Sequence, residues 1–389
     1  MKLLELFSLS TGLKIDKPFI YKAFYPLPFD KYITIHPSSG MASKNYTFWD
    51  DVLELLKPTL EENNIRVVQI GSQGDEPLKG CYHLLGATNI QQTAYILSNT
   101  LGHLSNDTFS AHMVGSFNKP LVTVYGSTTI KNHSPYFYNS DTSTFIEANR
   151  NGRCASYMSE ELPKTVDSIS PEIISNAFLK LFGKSVDRNS LYFGQFYPTY
   201  IIEFIPDHII TPDYLSNGII NVRMDYLFNE ALLTKILYSR KVNILSDKPI
   251  DINIIRSFKS RVNKFSYEVN VDTDPEYVRQ VKETGVDLGL FTKEQDVEKL
   301  TNIRMKLFDF EVIQETVTSK ETLDFKEKLG YNTSFKTNKF ILSKDGVFLS
   351  KAHWLAKQPV KGFDDNTQNI IDSPVFWEEL DYFYIFNQK

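Results

Sequence analysis

The chain has 389 residues, with 42 Lys and Arg against 47 Asp and Glu and a formal net charge of -5. At roughly 150 residues per domain this length predicts two or three domains, and a 42% hydrophobic, 23% charged composition with 28 Phe and 21 Tyr excludes a disordered chain. The mild acidity and the lack of a long Lys/Arg block exclude a protein whose main task is neutralising a nucleic-acid backbone.

From about residue 31 short β-rich runs alternate with helical patterns, the signature of βαβ units around a mostly parallel sheet. Tyr32 to His36 predicts a strand ending in Pro37-Ser38-Ser39-Gly40, and Phe48 to Leu56 a helix stopping before Pro58. Arg66 to Ile70 predicts a strand closing at Gly71. Thr93 to Ser98 reads as a helix, Leu101 to Leu104 as a strand, Thr108 to Gly115 as a helix and Pro120 to Tyr125 as a strand ending at Gly126. A loop rich in Asn, Ser and Tyr covers residues 129 to 160, and Pro171 opens an amphipathic helix that Gly183 stops. The polar stretch Lys184 to Ser190 predicts a domain boundary. Beyond it, strands at Tyr200 to Ile205, Ile219 to Arg223 and Val242 to Leu245 alternate with helical patterns such as Leu227 to Tyr238, and the alternation continues to about residue 291. In the tail, Lys344-Asp345-Gly346 between two apolar runs predicts a hairpin.

Two cysteines, Cys81 and Cys154, are too few for a disulfide framework and lack the paired spacing of a zinc site, which fits a cytoplasmic protein. Glu5 interrupts the apolar start, and neither a cleavage site nor a span of about 20 apolar residues follows, so the expectation is no signal peptide and no membrane span. The glycosylation-type triplets at Asn45, Asn106 and Asn332 are then coincidental.

Ligands of open parallel sheets bind beyond the carboxyl ends of the strands, which directs attention to four loops. The first supplies Ser38, Ser39 and Gly40, with Lys44 following as a point charge for a phosphate. The second opens with Gly71, where a glycine permits close approach of backbone to ligand. The third is Ser105-Asn106-Asp107-Thr108-Phe109-Ser110-Ala111-His112, where Asp107 and Thr108 fall at a helix start that favours an anion, or where Asp107 takes a sugar hydroxyl. The fourth holds Gly126, Ser127 and Thr128. Taken singly, Asp107 is a plain helix cap, Lys44 a solvated lysine and His112 a core or helix-face histidine. Four such loops in one domain make a constellation, because a sheet that stacks these strands side by side puts them on one rim.

These residues resemble a known family. His36-Pro37-Ser38-Ser39-Gly40, Lys44 ahead of the helix with Trp49, Val67-Val68-Gln69-Ile70-Gly71, the Asp107 to His112 run, Lys119-Pro120, Tyr125-Gly126-Ser127-Thr128, Pro135 and Ile169-Ser170-Pro171-Glu172-Ile173 look like the C-terminal, donor-binding domain of the heptosyltransferase-like glycosyltransferases of family 9. The resemblance covers residues 31 to 183. It implies a GT-B fold of two Rossmann-like domains, a nucleotide-diphosphate-sugar donor, inverting transfer to an acceptor hydroxyl, no metal and no cofactor. By position, Lys44 would contact the donor diphosphate, Asp107 and Thr108 the sugar and phosphates, and Ser110 and His112 belong to the same motif. Where the family commonly has glycine after the residue matching Thr108, this chain has Phe109. The family's acceptor domain and its catalytic acid come first in the chain, and residues 1 to 30 resemble only its interdomain stretch. The expectation is therefore a permuted order, with the donor-type domain at 31 to 183, a second α/β domain at 191 to 320 and a tail at 321 to 389.

Transfer to a hydroxyl needs a base, and the strand-end acids of the second half are the candidates: Asp207 with His208 adjacent as first choice, then Asp225 and Asp247. Each also reads as a turn or cap residue. His353-Trp354 reads as core packing or as a stacking platform, and Asp272-Thr273-Asp274 as a helix cap before Pro275. The acceptor is expected to be a glycan, a lipid-linked saccharide or a modified nucleic acid, the last because aromatics interleave with Lys in the tail. The alternative function is a non-catalytic carbohydrate- or nucleotide-binding module with a protein-interaction domain. A nucleotide-sugar epimerase is a third reading.

Overall fold

The computed structural model describes the chain except residues 151, 163, 187, 195, 198, 210–218, 316–328, 331 and 389, and all counts below refer to the described residues. The chain divides into two units, Met1–Ser190 and Leu191–Gln388.

In the first unit, helix α1 (Leu3–Thr11) precedes β1 (Tyr32–His36), α2 (Trp49–Glu62), β2 (Arg66–Gly71), β3 (Tyr82–Leu85), α3 (Ile90–Asn99), β4 (His103–Asn106), α4 (Phe109–Ser116), β5 (Leu121–Tyr125), α5 (Ile130–His133), β6 (Ser143–Glu147) and α6 (Pro171–Leu179). The strands form one parallel sheet in the order β3-β2-β1-β4-β5-β6, the doubly wound arrangement of Rossmann domains. All five residues of β1 and of β5 are buried, as expected of central parallel strands covered on both faces. Tyr32, Val68, Ile70, Leu84 and Leu121 meet Ile96 and Leu97 of α3 and Val114 of α4 in the core. Asn89 caps α3, its side chain accepting from the amides of Gln91 and Gln92.

Two expectations are corrected here. Helix α2 does not stop before Pro58 but runs through it to Glu62. Pro58 lies on the exposed side, whereas Thr59 and Leu60 continue the buried face, so packing offsets the lost backbone bond. The region read as loop between residues 129 and 160 contributes the edge strand β6, whose polar sequence carries no strong alternation.

The second unit is also α/β around a mostly parallel sheet. After β7 (Arg188–Phe193), which runs across the division, come β8 (Ile201–Phe204), β9 (Ile219–Arg223), α7 (Glu230–Ser239), β10 (Val242–Ser246), α8 (Ile252–Ser257), β11 (Val262–Glu268), α9 (Pro275–Glu283), β12 (Leu288–Thr292), α10 (Val297–Lys306) and β13 (Val312–Gln314). Then follow β14 (Thr333–Thr337), β15 (Lys339–Ser343), β16 (Gly346–Phe348), α11 (Lys351–Leu355), β17 (Thr367–Asn369), α12 (Pro374–Trp377) and β18 (Phe383–Gln388). The large sheet has the order β13-β12-β11-β10-β9-β8-β15-β16 and the small antiparallel sheet β17-β14-β18-β7. The predicted hairpin is β15 with β16, and β15 pairs parallel to β8, so the tail extends the sheet. Asp274 caps α9 as expected, accepting from the amide of Glu276 ahead of Pro275 at the first turn. No helix among the described residues is long and apolar enough to cross a membrane.

Phe335 of β14 is fully buried against the rings of Phe376 and Phe383, with centroids 4.9 and 4.7 Å away. Phe335→Ala is expected to cost about 3–5 kcal/mol of stability, read from the urea midpoint, and a loss under about 1 kcal/mol would contradict this packing.

Candidate functional site

The strand order of the first sheet reverses between β1 and β4, so a crevice opens beyond their carboxyl ends. A cleft of about 430 Å³ occupies that position, lined by His36, Ser38, Ser39, Gly40, Met41, Lys44, Ser72, Asp75, Asp107, Thr108 and Phe109. Six of the predicted donor residues, Ser38, Ser39, Gly40, Lys44, Asp107 and Thr108, therefore share one wall.

Lys44 is the only cationic side chain among the lining residues. Its Nζ donates to Asp107 Oδ2 at 2.7 Å, and Thr128 Oγ1 donates to the same oxygen at 2.8 Å. Both members of the pair are largely buried, at 14% and 5% side-chain exposure, so the charges are mutually compensated where solvation is poor. Neither Asp107 nor Thr108 caps α4: the Asp107 carboxylate is held by Lys44 and Thr128, and the Thr108 hydroxyl lies 3.1 Å from His36 Nδ1. The plain-cap reading of these two residues is thus not the one adopted.

The loop after β1 is shaped by two asparagines whose role has no local sequence signal. Asn106 is buried, accepts from Trp49 Nε1 at 3.2 Å and from the amide of Tyr46 at 3.3 Å, and donates to the carbonyl of Pro37. Asn45 Oδ1 accepts from the amide of Ser39 at 2.7 Å. Together they fix the backbone that carries Ser38 to Lys44. Asp75 holds the neighbouring loop, accepting from the amide of Ser72 at 2.7 Å.

Other predicted positions lie off the cleft wall. A Cβ at Gly71 would overlap the Asp75 carboxylate, so this glycine serves the loop fold. Gly126 packs against Val166, whose backbone nitrogen would be 2.6 Å from an added Cβ. Ser127 is buried, its Oγ 2.9 Å from Ser43 Oγ. His112 is exposed on α4 outside the lining set. Ser110 is buried behind the wall, its Oγ 3.0 Å from His36 Nδ1, 2.9 Å from His103 Nε2 and 2.9 Å from Thr108 Oγ1. No site role is read for His36 or His103 from the sequence, because His36 meets Thr108 and Ser110 72 and 74 positions away and His103 meets Thr34 69 positions away.

In the second unit, Asp207 and Asp225 follow the adjacent parallel strands β8 and β9. Asp207 Oδ1 is 2.6 Å from His208 Nδ1 and accepts from the amide of Lys344 at 3.0 Å, which orients the imidazole. Asp225 is clamped by Arg223, with Nε donating to Oδ1 at 2.8 Å and the guanidinium NH2 to Oδ2 at 2.6 Å. Arg223 also pairs with buried Glu203 at 2.6 Å, and Lys339 joins Glu379 at 2.6 Å, so Asp225 belongs to a structural ion network rather than standing as a free base. Asp247 is exposed. His353 is a core residue, 2.7 Å from Ser350 Oγ and 3.0 Å from the carbonyl of Asn369, and Trp354 stacks on Tyr226.

Burial lowers the pKa of His36 to about 4 and that of His103 to about 3, so both imidazoles are neutral near pH 7. In the unfolded chain they titrate near 6.5. Stability from keeping them neutral is complete above that value and lost as pH falls toward the folded values, since the unfolded state then binds more protons. The unfolding free energy from urea titration is expected to fall between pH 6.5 and pH 4, by on the order of 3 kcal/mol for His36 alone, and His103→Gln is expected to flatten the slope. A flat profile in the wild type would contradict the burial of these rings. Gly126→Ala is expected to cost about 1–3 kcal/mol by the same measurement.

Comparison with known proteins bears on the same part of the chain. Residues 4–163 match glycosyltransferase family 9 (heptosyltransferase). No match was found among curated proteins. Among solved structures, the ADP-heptose lipopolysaccharide heptosyltransferase II of E. coli is 19% identical, with 39% of this chain and 46% of that chain covered and a TM-score of 0.31. The family 9 glycosyltransferase of Veillonella parvula is 18% identical, with 46% and 51% covered and a TM-score of 0.32. The iron-containing dodecameric glycosyltransferase TibC of enterotoxigenic E. coli is 13% identical, with 42% and 49% covered and a TM-score of 0.33. The chain spans about half the length of these solved relatives. The recognition made from the motifs holds: residues 4–163, which carry the cleft, match glycosyltransferase family 9.

Proposed function

We propose that the protein transfers a sugar from a nucleotide-diphosphate sugar to an acceptor hydroxyl, by inversion and without a metal. The observation that carries this reading is the cleft at the strand-order reversal, where Lys44, Asp107, Thr108 and the Ser38 to Gly40 loop converge. An anion entering there meets the Lys44 ammonium and the open start of α4, both suited to a diphosphate. Asp107 keeps Lys44 in place in the meantime, and its Oδ1, with no protein partner among the described residues, is the group to accept a donor hydroxyl.

The acceptor oxygen attacks the anomeric carbon as the bond to the diphosphate breaks, the hydroxyl proton passes to a base and the nucleoside diphosphate leaves. The proposed base is His208 oriented by Asp207; Asp225 is unsuited because Arg223 occupies both its oxygens. We assign the cytoplasm as the place of action and a glycan, lipid-linked saccharide or modified nucleic acid as the acceptor class.

A thermal-shift screen against ADP-, GDP- and UDP-sugars tests the donor. Stabilisation of about 2.7 kcal/mol is expected at a hundredfold excess over Kd of the right one. Lys44→Ala is expected to weaken it about 10- to 100-fold, the equivalent of one charge-assisted contact. No shift with any nucleotide sugar would overturn the donor assignment, and binding without release of nucleoside diphosphate to any acceptor would favour the non-catalytic module.

A further inference from the structure

A chain of single-proton hydrogen bonds runs from the interior of the first unit to the cleft, and its inner end has a fixed direction. The carbonyl oxygen of Gly102 can only accept, so the Thr100 hydroxyl donates to it at 2.7 Å. Thr100 Oγ1 then accepts from the Thr34 hydroxyl at 3.1 Å. With its one proton spent, Thr34 Oγ1 is an acceptor for His103 Nδ1 at 2.8 Å, which makes His103 the Nδ1–H tautomer. Its Nε2 is therefore bare and accepts from the Ser110 hydroxyl at 2.9 Å. Ser110 Oγ, its proton spent in turn, accepts from His36 Nδ1 at 3.0 Å; if Thr108 Oγ1, 3.1 Å away, donated to a bare Nδ1 instead, Nδ1 and Ser110 Oγ would face each other as two acceptors, so Thr108 accepts from Nδ1 or donates to Ser110. Reversing the last two bonds would require an imidazolium at His103, which is fully buried and strongly resists protonation.

From this we infer that His36 is held as the Nδ1–H tautomer and presents the bare lone pair of Nε2 to the cleft, making it a specificity-determining residue for a ligand group that carries a proton. His36 lines the cleft, and among the described residues the hydrogen bonds of its ring are made at Nδ1. The edge of Phe109, 5.2 Å between ring centroids, packs against the imidazole and helps to keep its orientation. A sugar or ribose hydroxyl satisfies Nε2 as a donor, whereas an ionised phosphate oxygen, which only accepts, is disfavoured there. The cleft thus divides into a phosphate side at Lys44 and a hydroxyl side at His36. Naming the ligand as a nucleotide sugar rests on the function proposed above; the tautomer does not.

The experiment is a two-bond proton–nitrogen correlation spectrum of the full chain with isotope-labelled histidine near neutral pH, assigned with His36→Gln and His103→Gln. The expected result is the Nδ1–H pattern for both rings, and an Nε2–H or doubly protonated His36 overturns the inference. Ser110→Ala is expected to turn the His36 signal into a tautomer mixture, because Thr108 alone can donate or accept; an unchanged pattern in a folded variant would remove the relay. If that variant does not fold, the wild-type spectrum still decides. Titration then separates the ligand from the tautomer. A nucleotide sugar is expected to move the His36 Nε2 resonance and inorganic diphosphate to leave it in place. Protonation of Nε2 by inorganic diphosphate overturns the hydroxyl side. Failure of every nucleotide sugar to bind removes the donor reading, while the tautomer spectrum tests His36 independently of it.

Discussion

The parallel pairing of β1 with β4 in the middle of the first sheet is the constraint from which the site follows. Its register sets Thr34 beside His103, Ile35 beside Leu104 and His36 beside Ser105. Because the sheet continues outward in opposite directions from this pair, no crossover covers its carboxyl end, and the loops after the two strands face each other across an open crevice. The same register stacks Thr34 against His103, and that contact begins the hydrogen-bond chain to His36. One backbone arrangement thus places the lysine, the acid and the imidazole.

Charge is handled differently in the two units. In the first, a single pair, Lys44 with Asp107, sits at the cleft with Thr128 as its support, an arrangement in which an incoming anion can share the ammonium without stranding the carboxylate. In the second, Glu203, Arg223, Asp225, Lys339 and Glu379 form a connected buried network. Removing one member of such a network leaves an uncompensated charge and typically costs about 3–5 kcal/mol, so these residues act as a structural unit. Arg223 lies 3.7 Å from the centre of the Tyr226 ring, and Lys351 4.5 Å, which ties the network to the Tyr226–Trp354 stack.

The proposed phosphate side and the His36 side of the cleft use opposite hydrogen-bonding characters over a short span. Lys44 only donates; a bare Nε2 only accepts. A ligand that joins a diphosphate to a polyhydroxylated ring would meet both at once, which is the physical reason for proposing a nucleotide sugar rather than a free phosphate.

Much of this was legible in the sequence. Strand-and-helix alternation predicted both α/β units, and the hydroxyl- and glycine-rich strand ends pointed to the rim where the cleft lies, because strand period, turn chemistry and loop composition are local properties. Of the residues singled out this way, Ser38, Ser39, Gly40, Lys44, Asp107 and Thr108 line the cleft. Gly71, Gly126 and Ser127 carry the same local signature yet serve loop packing, since the atom that a glycine or serine meets is set by the fold and not by its neighbours in the chain. The path of α2 through Pro58, the edge strand β6, the insertion of β15 beside β8 and the clamp of Arg223 on Asp225 likewise depended on burial and long-range pairing. The sequence by itself determined which elements form and which loops hold polar residues. Only the tertiary structure decided that His36, Ser110, His103 and Thr34 share a line of hydrogen bonds, because the direction of each proton is fixed by a partner distant in the chain and, at the end, by one backbone carbonyl.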